Sequence, residues 1–188
     1  MVYYKNMSKS DTLESAWQKA KAYPKKVSFA EITRLCGSSD GRDRLLGLLL
    51  MRREIGRGAP TAKYFPIAKH MITDSNNKCR WQALIVIGEC IESCPDEVWK
   101  IVQEYGDAKD DDLRTAIGVV LLEHLLEFNF DKFFPLVREE VSQGKIRFLD
   151  TLQRCFLSDD NYREQKKKMV NYLRNATRGL ANKESRSG

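Results

Sequence analysis

The chain has 188 residues, 42% hydrophobic and 31% charged, with a formal net charge of +6; at this length about 70% of the unfolded surface is buried on folding, so no disulfide or structural metal is needed to hold a core. That composition excludes disorder of the whole chain. It also excludes a membrane span, because the longest apolar run, Leu45 to Met51, contains Gly47 and meets Arg52 and Arg53, far short of the ~20 residues a bilayer requires.

The charge is uneven. Residues 1–38 hold seven Lys/Arg against three acids and residues 159–188 hold eight against four, so each end is +4 and the middle, 39–158, is 6 − 8 = −2. The amino-terminal MVYYKNMSKSD lacks the apolar core and small-residue cleavage site of a secretory signal, so a cytoplasmic location is expected. Five cysteines, Cys36, Cys79, Cys90, Cys94 and Cys155, are an odd number without paired C-x-x-C spacing, which fits free thiols in a reducing compartment.

Along the chain nearly every segment has a 3.6-residue apolar period, and none alternates like a half-buried strand. An all-α fold is expected, as one domain over 1–178. Helix 11–22 comes first. Ser28-Phe29-Ala30-Glu31 matches a capping box, in which serine and glutamate both satisfy free amides at a helix start, and opens a pair, 28–37 with 41–55. Gly56-Arg57-Gly58-Ala59-Pro60 reads as a linker rather than a phosphate loop, since no strand–turn–helix unit surrounds it. The second pair is 61–73 with 77–93, and its second helix carries the stretch CRWQALIVIGECIE, Cys79 to Glu92. Pro95 followed by Asp96 and Glu97 marks a helix first turn, giving pairs 95–106 with 110–127 and 130–143 with 145–157. A basic helix over 159–178 follows, with Tyr162, Met169, Leu173, Ala176 and Leu180 as its apolar edge. The tail, 179–188, is expected to be disordered.

The second helices repeat. Arg44, Arg80, Arg114 and Arg147 recur 36, 34 and 33 residues apart, with Gly47, Ala83, Ile117 or Asp150 three residues on. Four residues before each stand Asp40, Asn76, Asp110 and Gln143. All four can accept hydrogen bonds, so a ladder of arginines, each reaching an acceptor of its own or the next turn, is expected. First helices carry one apolar stripe, for example Phe133, Phe134 and Val137, whereas a second helix such as 83–91 is apolar nearly all round and must be covered on several sides.

The pattern of polar turn, Asp or Asn, Arg and an apolar helix, as in DDDLRTAIGVVLLEHLLE, resembles HEAT-like (armadillo-type) repeats over about 28–157. The resemblance implies a right-handed superhelix of about four helix pairs between capping helices 11–22 and 159–178. The fourth copy departs from it, with Gln143 for the acid and Asp150 for a small residue. The family includes DNA alkylation repair glycosylases, whose Ala-Leu-Gly-Trp-Ala-Leu-Arg-Glu segment aligns with Ala116 to Glu123. Gly118 and Glu123 match, but Val119 replaces the tryptophan and Leu122 the arginine.

Residues suited to chemistry have plainer roles. Cys90 and Cys94 lie one turn apart, but a structural zinc needs four ligands and His70 and His124 fall in separate repeats. No third group orients a Cys–His pair. Trp81 and Trp99 sit in apolar helical patterns and read as core or groove wall, with Trp17 less constrained. No catalytic residue, metal or cofactor is expected.

In a HEAT-like solenoid the second helices line the concave face, as the resemblance implies. The position nine after each ladder arginine gives Arg53, Glu89, Glu123 and Phe156, and Glu92 and Glu127 make the centre acidic. Partner binding by Glu89, Glu92, Glu123 and Arg53 is therefore expected, the partner being a protein or peptide that bears Lys or Arg. A nucleic-acid backbone demands the opposite charge. It could be met by the basic terminal helix, where Lys166, Lys167, Lys168 and Arg174 are candidate phosphate or acidic-partner contacts.

Overall fold

The computed structural model describes residues 13–23, 26–157 and 162–184. Among these residues the protein is all-helical, and no helix is long and apolar enough to cross a membrane. The chain divides at Cys94/Pro95 into two compact units.

In the first unit α1 (Leu13–Ala22), α2 (Phe29–Cys36), α3 (Gly41–Ile55), α4 (Phe65–His70) and α5 (Asn77–Gly88) follow in order. Ser28 caps α2 by accepting the Glu31 N–H at 3.1 Å. Only half of the expected capping box forms. The Glu31 carboxylate accepts from Arg34 Nε and Nη2 and from Tyr23 Oη, each at 2.8 Å, because a guanidinium fork is a stronger donor than a lone amide. These bonds hold the Glu31 carboxyl down to about 2, Arg34 first and Tyr23 second.

Helix α3 is the spine of this unit. It packs on α1, α2 and α5, so Leu45, Leu48, Leu49, Leu50 and Met51 are all buried. Gly47 permits the approach of α2. A Cβ there would lie 2.6 Å from Cys36 Sγ and 3.0 Å from the Cys36 backbone nitrogen.

The expected helix 61–73 is three pieces: 3-10 turns at Thr61–Lys63 and Met71–Thr73 flank α4. Pro66 is the reason for the first break, since it sits in the first turn of α4 and has no N–H to extend a helix from before it. Helix α5 also stops early, at Gly88, and 89–93 forms tight turns in which Cys90, Ile91 and Ser93 donate to carbonyls three residues back. Cys94 precedes Pro95, and a residue before proline is kept out of the helical region.

In the second unit α6 (Pro95–Tyr105), α7 (Asp111–Ala116), a π-helical segment (Ile117–Leu122), α8 (Glu123–Ser142), α9 (Arg147–Gln153) and α10 (Arg163–Glu184) follow. Helix α6 opens with Pro95, Asp96 and Glu97 as expected and buries Val98, Trp99, Ile101 and Val102. The π segment packs on α6, α8 and α9, the part played by the middle of α3 in the first unit. The expected helices 110–127 and 130–143 are joined through one non-helical residue, Asn129 (φ −154°, ψ 81°), whose Oδ1 accepts the Lys132 N–H at 3.1 Å. Past this corner Phe133, Phe134 and Val137 are buried. Trp99 lies in the core, 6.0 Å from the Phe133 ring and 6.3 Å from Phe148.

Helix α9 is shorter than the expected 145–157. Gly144, at φ +94°, makes the turn before it, and no side chain caps its start. Helix α10 is longer than expected. It runs through Gly179 to Glu184, where disorder was expected; 185–188 lie outside the described residues, as do 11–12 and 158–161. Met169 is buried and Tyr162, Leu173 and Ala176 half-buried, which matches the expected apolar edge, while the Leu180 side chain lies outside the described set; Tyr172, not expected on that edge, is half-buried as well.

Because no atom can be added at Gly47 without displacing Cys36, Gly47→Val is expected to destabilise the protein by about 2 kcal/mol, the cost of overpacking a close helix contact. Urea unfolding followed by far-ultraviolet circular dichroism measures this. An unchanged midpoint would mean that α2 and α3 are not held this close.

Candidate functional site

The arginines at the starts of the second helices form keyed contacts within each unit. Arg44, in the first turn of α3, gives Nη1 to the carbonyls of Ser38 and Ser39 at 3.0 and 2.9 Å. Its Nε and Nη2 grip Asp74 of the next turn at 2.6 and 2.9 Å. Arg114, in α7, repeats the geometry: Nη1 donates to Ala108 and Lys109 carbonyls at 2.7 and 3.1 Å, while Nε and Nη2 reach Asp150 at 3.1 and 3.0 Å. Arg80 donates to the Asp74 carbonyl, 3.4 Å away and six residues back, the same offset.

The acceptors differ from those expected. Asp40, Asn76 and Asp110 cap their own helices by accepting from Arg42, Lys78 and Leu113 N–H groups. Short Asp and Asn side chains fold back on the nearest amides, so the arginines take main-chain carbonyls and a carboxylate from the following turn. In the fourth copy the register is lost. Arg147 is the first residue of α9 and reaches back to the Asp107 carbonyl and carboxylate at 2.9 and 3.0 Å. Asp150, the residue that departs from the repeat, is the carboxylate that seats Arg114 and also Arg154.

These carboxylates are tuned by their partners. The Arg44 hydrogen bonds hold the Asp74 carboxyl below its usual range against the opposing effect of burial. Burial pushes the Asp150 carboxyl up, but the bonds from Arg154 and Arg114 outweigh it and leave it lowered.

The expected partner-binding residues are divided between the two units. Arg53 and Glu89 and Glu92 belong to the first unit, Glu123 to the second. Arg53 ties α3 to α1, donating to the Ala20 and Tyr23 carbonyls at 2.8 and 3.2 Å and to Glu54, and its side chain is only 10% exposed. Glu123 is half-buried and accepts the Phe156 N–H, closing the segment after α9. Burial raises its pKa. Glu89 and Glu92 are exposed, at the end of α5 and in the turn after it.

On α10, Lys167, Lys168 and Arg174 are exposed. Lys166 lies over the Phe156 ring, 4.4 Å from its centroid, and Lys168 over Phe130 at 6.0 Å.

The cysteines are free thiols. Burial pushes Cys36 up to about 12 and Cys79 and Cys90 up to about 11, away from the thiolate that nucleophilic chemistry uses. The Cys94 thiol donates to the Cys90 carbonyl at 3.2 Å. His70 and His124 are exposed, and among the described residues no three His, Cys, Asp or Glu groups converge as for a metal. Trp17 is half-buried beneath Arg52, whose guanidinium carbon lies 5.3 Å from its ring.

One further feature was not anticipated from the sequence: a cleft of about 480 Å³ between α10 and the part of α8 after Asn129. Phe130 and Phe134 stack on each other at 4.6 Å, and Tyr172 meets Phe134 edge-on at 5.7 Å. Arg138 lies over Tyr172 at 5.5 Å. The sequence contains a signal for each wall, since Phe130, Phe134 and Arg138 fall at i, i+4 and i+8, and Lys168, Tyr172 and Asn175 at i, i+4 and i+7. It contains none for their pairing.

The three arginines predict unequal losses. Arg44 and its partner Asp74 have side chains 17% and 7% exposed, so Arg44→Ala strands a buried carboxylate and should cost about 3 kcal/mol in urea unfolding. Arg114 is 9% exposed but its partner Asp150 is 40% exposed and can be solvated, so Arg114→Ala should cost about 1–2 kcal/mol. Arg147, 48% exposed, should cost under about 1 kcal/mol. Equal losses at all three would contradict the assigned seats. The lowered Asp74 carboxyl adds a pH dependence: its stabilisation is present above about pH 4, the ordinary aspartate value, and is lost as pH falls through the depressed folded value, because the unfolded chain then binds more protons. Asp74→Asn should flatten that acid-side fall in the urea midpoint; an unaltered slope would exclude Asp74 as its source. No family model matches the chain, and neither a curated protein nor a solved structure does.

Proposed function

We propose that the helix pairs are HEAT-like repeats and that the chain is a non-catalytic protein–protein interaction adaptor. The observation that carries this reading is the recurrence of one arginine seat in both units, with Nη1 on two carbonyls of its own turn and the remaining nitrogens on a carboxylate of the next. Such keys fix the helix pairs of a unit before any ligand arrives. A surface already rigid loses little ordering entropy when a partner docks.

Thiols pushed up by burial support a role without nucleophilic chemistry. Glu123, shared with the repair-glycosylase pattern, has its carboxylate committed to a main-chain amide. For a basic partner segment the contacts are Glu89 and Glu92, which are exposed. Arg53 braces α3 against the end of α1 in the same unit, and Glu123 closes the segment after α9 in the other.

The exposed cations of α10 favour a second reading, a nucleic-acid-binding module of the same repeat class. The two readings separate in one experiment. Immobilised protein is titrated with a fluorescent Lys/Arg-rich peptide and with duplex DNA across a salt series. The adaptor reading expects peptide retention that falls at least about tenfold in a Glu89→Lys, Glu92→Lys double variant, as for reversal of a direct charge contact. DNA retention with a steep salt slope, relieved by neutralising Lys166, Lys167 and Lys168, would establish the rival instead.

A further inference from the structure

The cleft between α8 and α10 joins an apolar wall to a cationic rim, the reverse of the Glu89 and Glu92 surface. We propose that it binds an acidic peptide segment, seating a carboxylate on Arg138 and packing an adjacent apolar side chain against Pro135 and the edge, not the covered face, of Tyr172. This rests on reading the chain as an interaction adaptor.

Charge selects the sign of the ligand. Arg138 is exposed and, among the described residues, forms no ion pair; its guanidinium lies over the Tyr172 ring at 5.5 Å, with its fork of donors available to a carboxylate. Lys168, with a side chain 61% exposed, adds a second cation to the cleft. Its neighbour Asp131 is 3.9 Å away, a loose contact that offsets part of that charge and leaves Arg138 the principal anchor. A basic segment would meet two cations here.

Shape and polarity select the class. About 480 Å³ accommodates one or two side chains, not a docked helix. Asn171 and Asn175 are exposed, one turn apart on α10, and line the cleft; an amide offers both donor and acceptor, which suits the main chain of an extended peptide. Single-stranded nucleic acid is the competing anion, but its bases need open ring faces. Phe130 and Phe134 are each only 7% exposed and stack on each other, and Arg138 covers Tyr172. The rings form a wall, not a stacking platform.

The test uses the whole chain and a fluorescein-labelled octapeptide of alternating Glu and Leu around a central Phe, followed by fluorescence anisotropy. Saturable binding is expected. It should weaken at least about tenfold in Arg138→Gln and in Asn171→Asp, both surface changes that leave the circular dichroism spectrum intact. Arg163→Gln, exposed at the start of α10 and outside the cleft, should change it less than about twofold. Replacing every Glu of the peptide by Gln should abolish it. Absence of saturable binding, or equal weakening by Arg163→Gln, would overturn the proposal. So would Arg138-dependent binding of labelled oligothymidylate without binding of the peptide. If only this site fails, retention of the Lys/Arg-rich peptide through Glu89 and Glu92 still stands; loss of both removes the adaptor reading.

Discussion

The structure depends on where a guanidinium goes when it is held at the start of a buried helix. Arg44 and Arg114 cannot leave five donors unpaired at 17% and 9% exposure, and the cost of doing so exceeds that of nearly any surface rearrangement. Each takes two carbonyls that the preceding turn leaves outside helical bonding, then a carboxylate from the next helix pair. The seat therefore joins three requirements: it closes the turn, neutralises the cation and sets the spacing of successive helices. Apolar packing alone is non-directional and would tolerate sliding. The arginine does not.

Around these fixed points the helices approach closely only where a side chain is missing. Gly47 lets α3 meet α2. In the second unit Gly106 faces the Phe148 ring, where a Cβ would lie 2.6 Å away, and Gly118 faces the Thr151 carbonyl at 2.7 Å. Thr151 Oγ1 completes the same region by donating to the Gly106 carbonyl at 2.6 Å. Close packing and the polar seats thus meet on the same elements, the second helices.

Much of this was legible in the sequence, and what was not has identifiable causes. The 3.6-residue period and the recurrence of arginine gave the helices and their pairing because both are local or evenly spaced. The identity of the arginine acceptors was not local. Asp40, Asn76 and Asp110 stand at the right offset to be read as acceptors, yet a capping residue is already committed to its own helix. Asp150, read as a departure from the pattern, is the residue that serves Arg114. The bonds made by two residues of the charge column were hidden for a related reason. Arg53 and Glu123 recur at one phase, but a pattern of spacing does not reveal that one bonds the end of α1 and the other the Phe156 amide. The cleft was invisible because its walls, on α8 and α10, are brought together only by folding.

The pKa displacements follow from packing and ion pairing, and the proposed binding role is compatible with them. Catalysis needs a group whose proton or electron pair is poised and accessible, and such groups have pKa values displaced toward neutrality. In this chain the clearest displacements run the other way: the Cys36, Cys79 and Cys90 thiols are raised further from ionising by burial, and the Glu31, Asp74 and Asp150 carboxyls are lowered by arginine partners. Glu123 is the carboxylate moved toward neutrality by burial, and its oxygen is occupied by the Phe156 amide. Glu89, Glu92 and Arg138 are among the exposed charges, and the proposed readings use them for recognition. On the proposed reading, each unit presents its own exposed charge for recognition, acidic at Glu89 and Glu92 and cationic at Arg138.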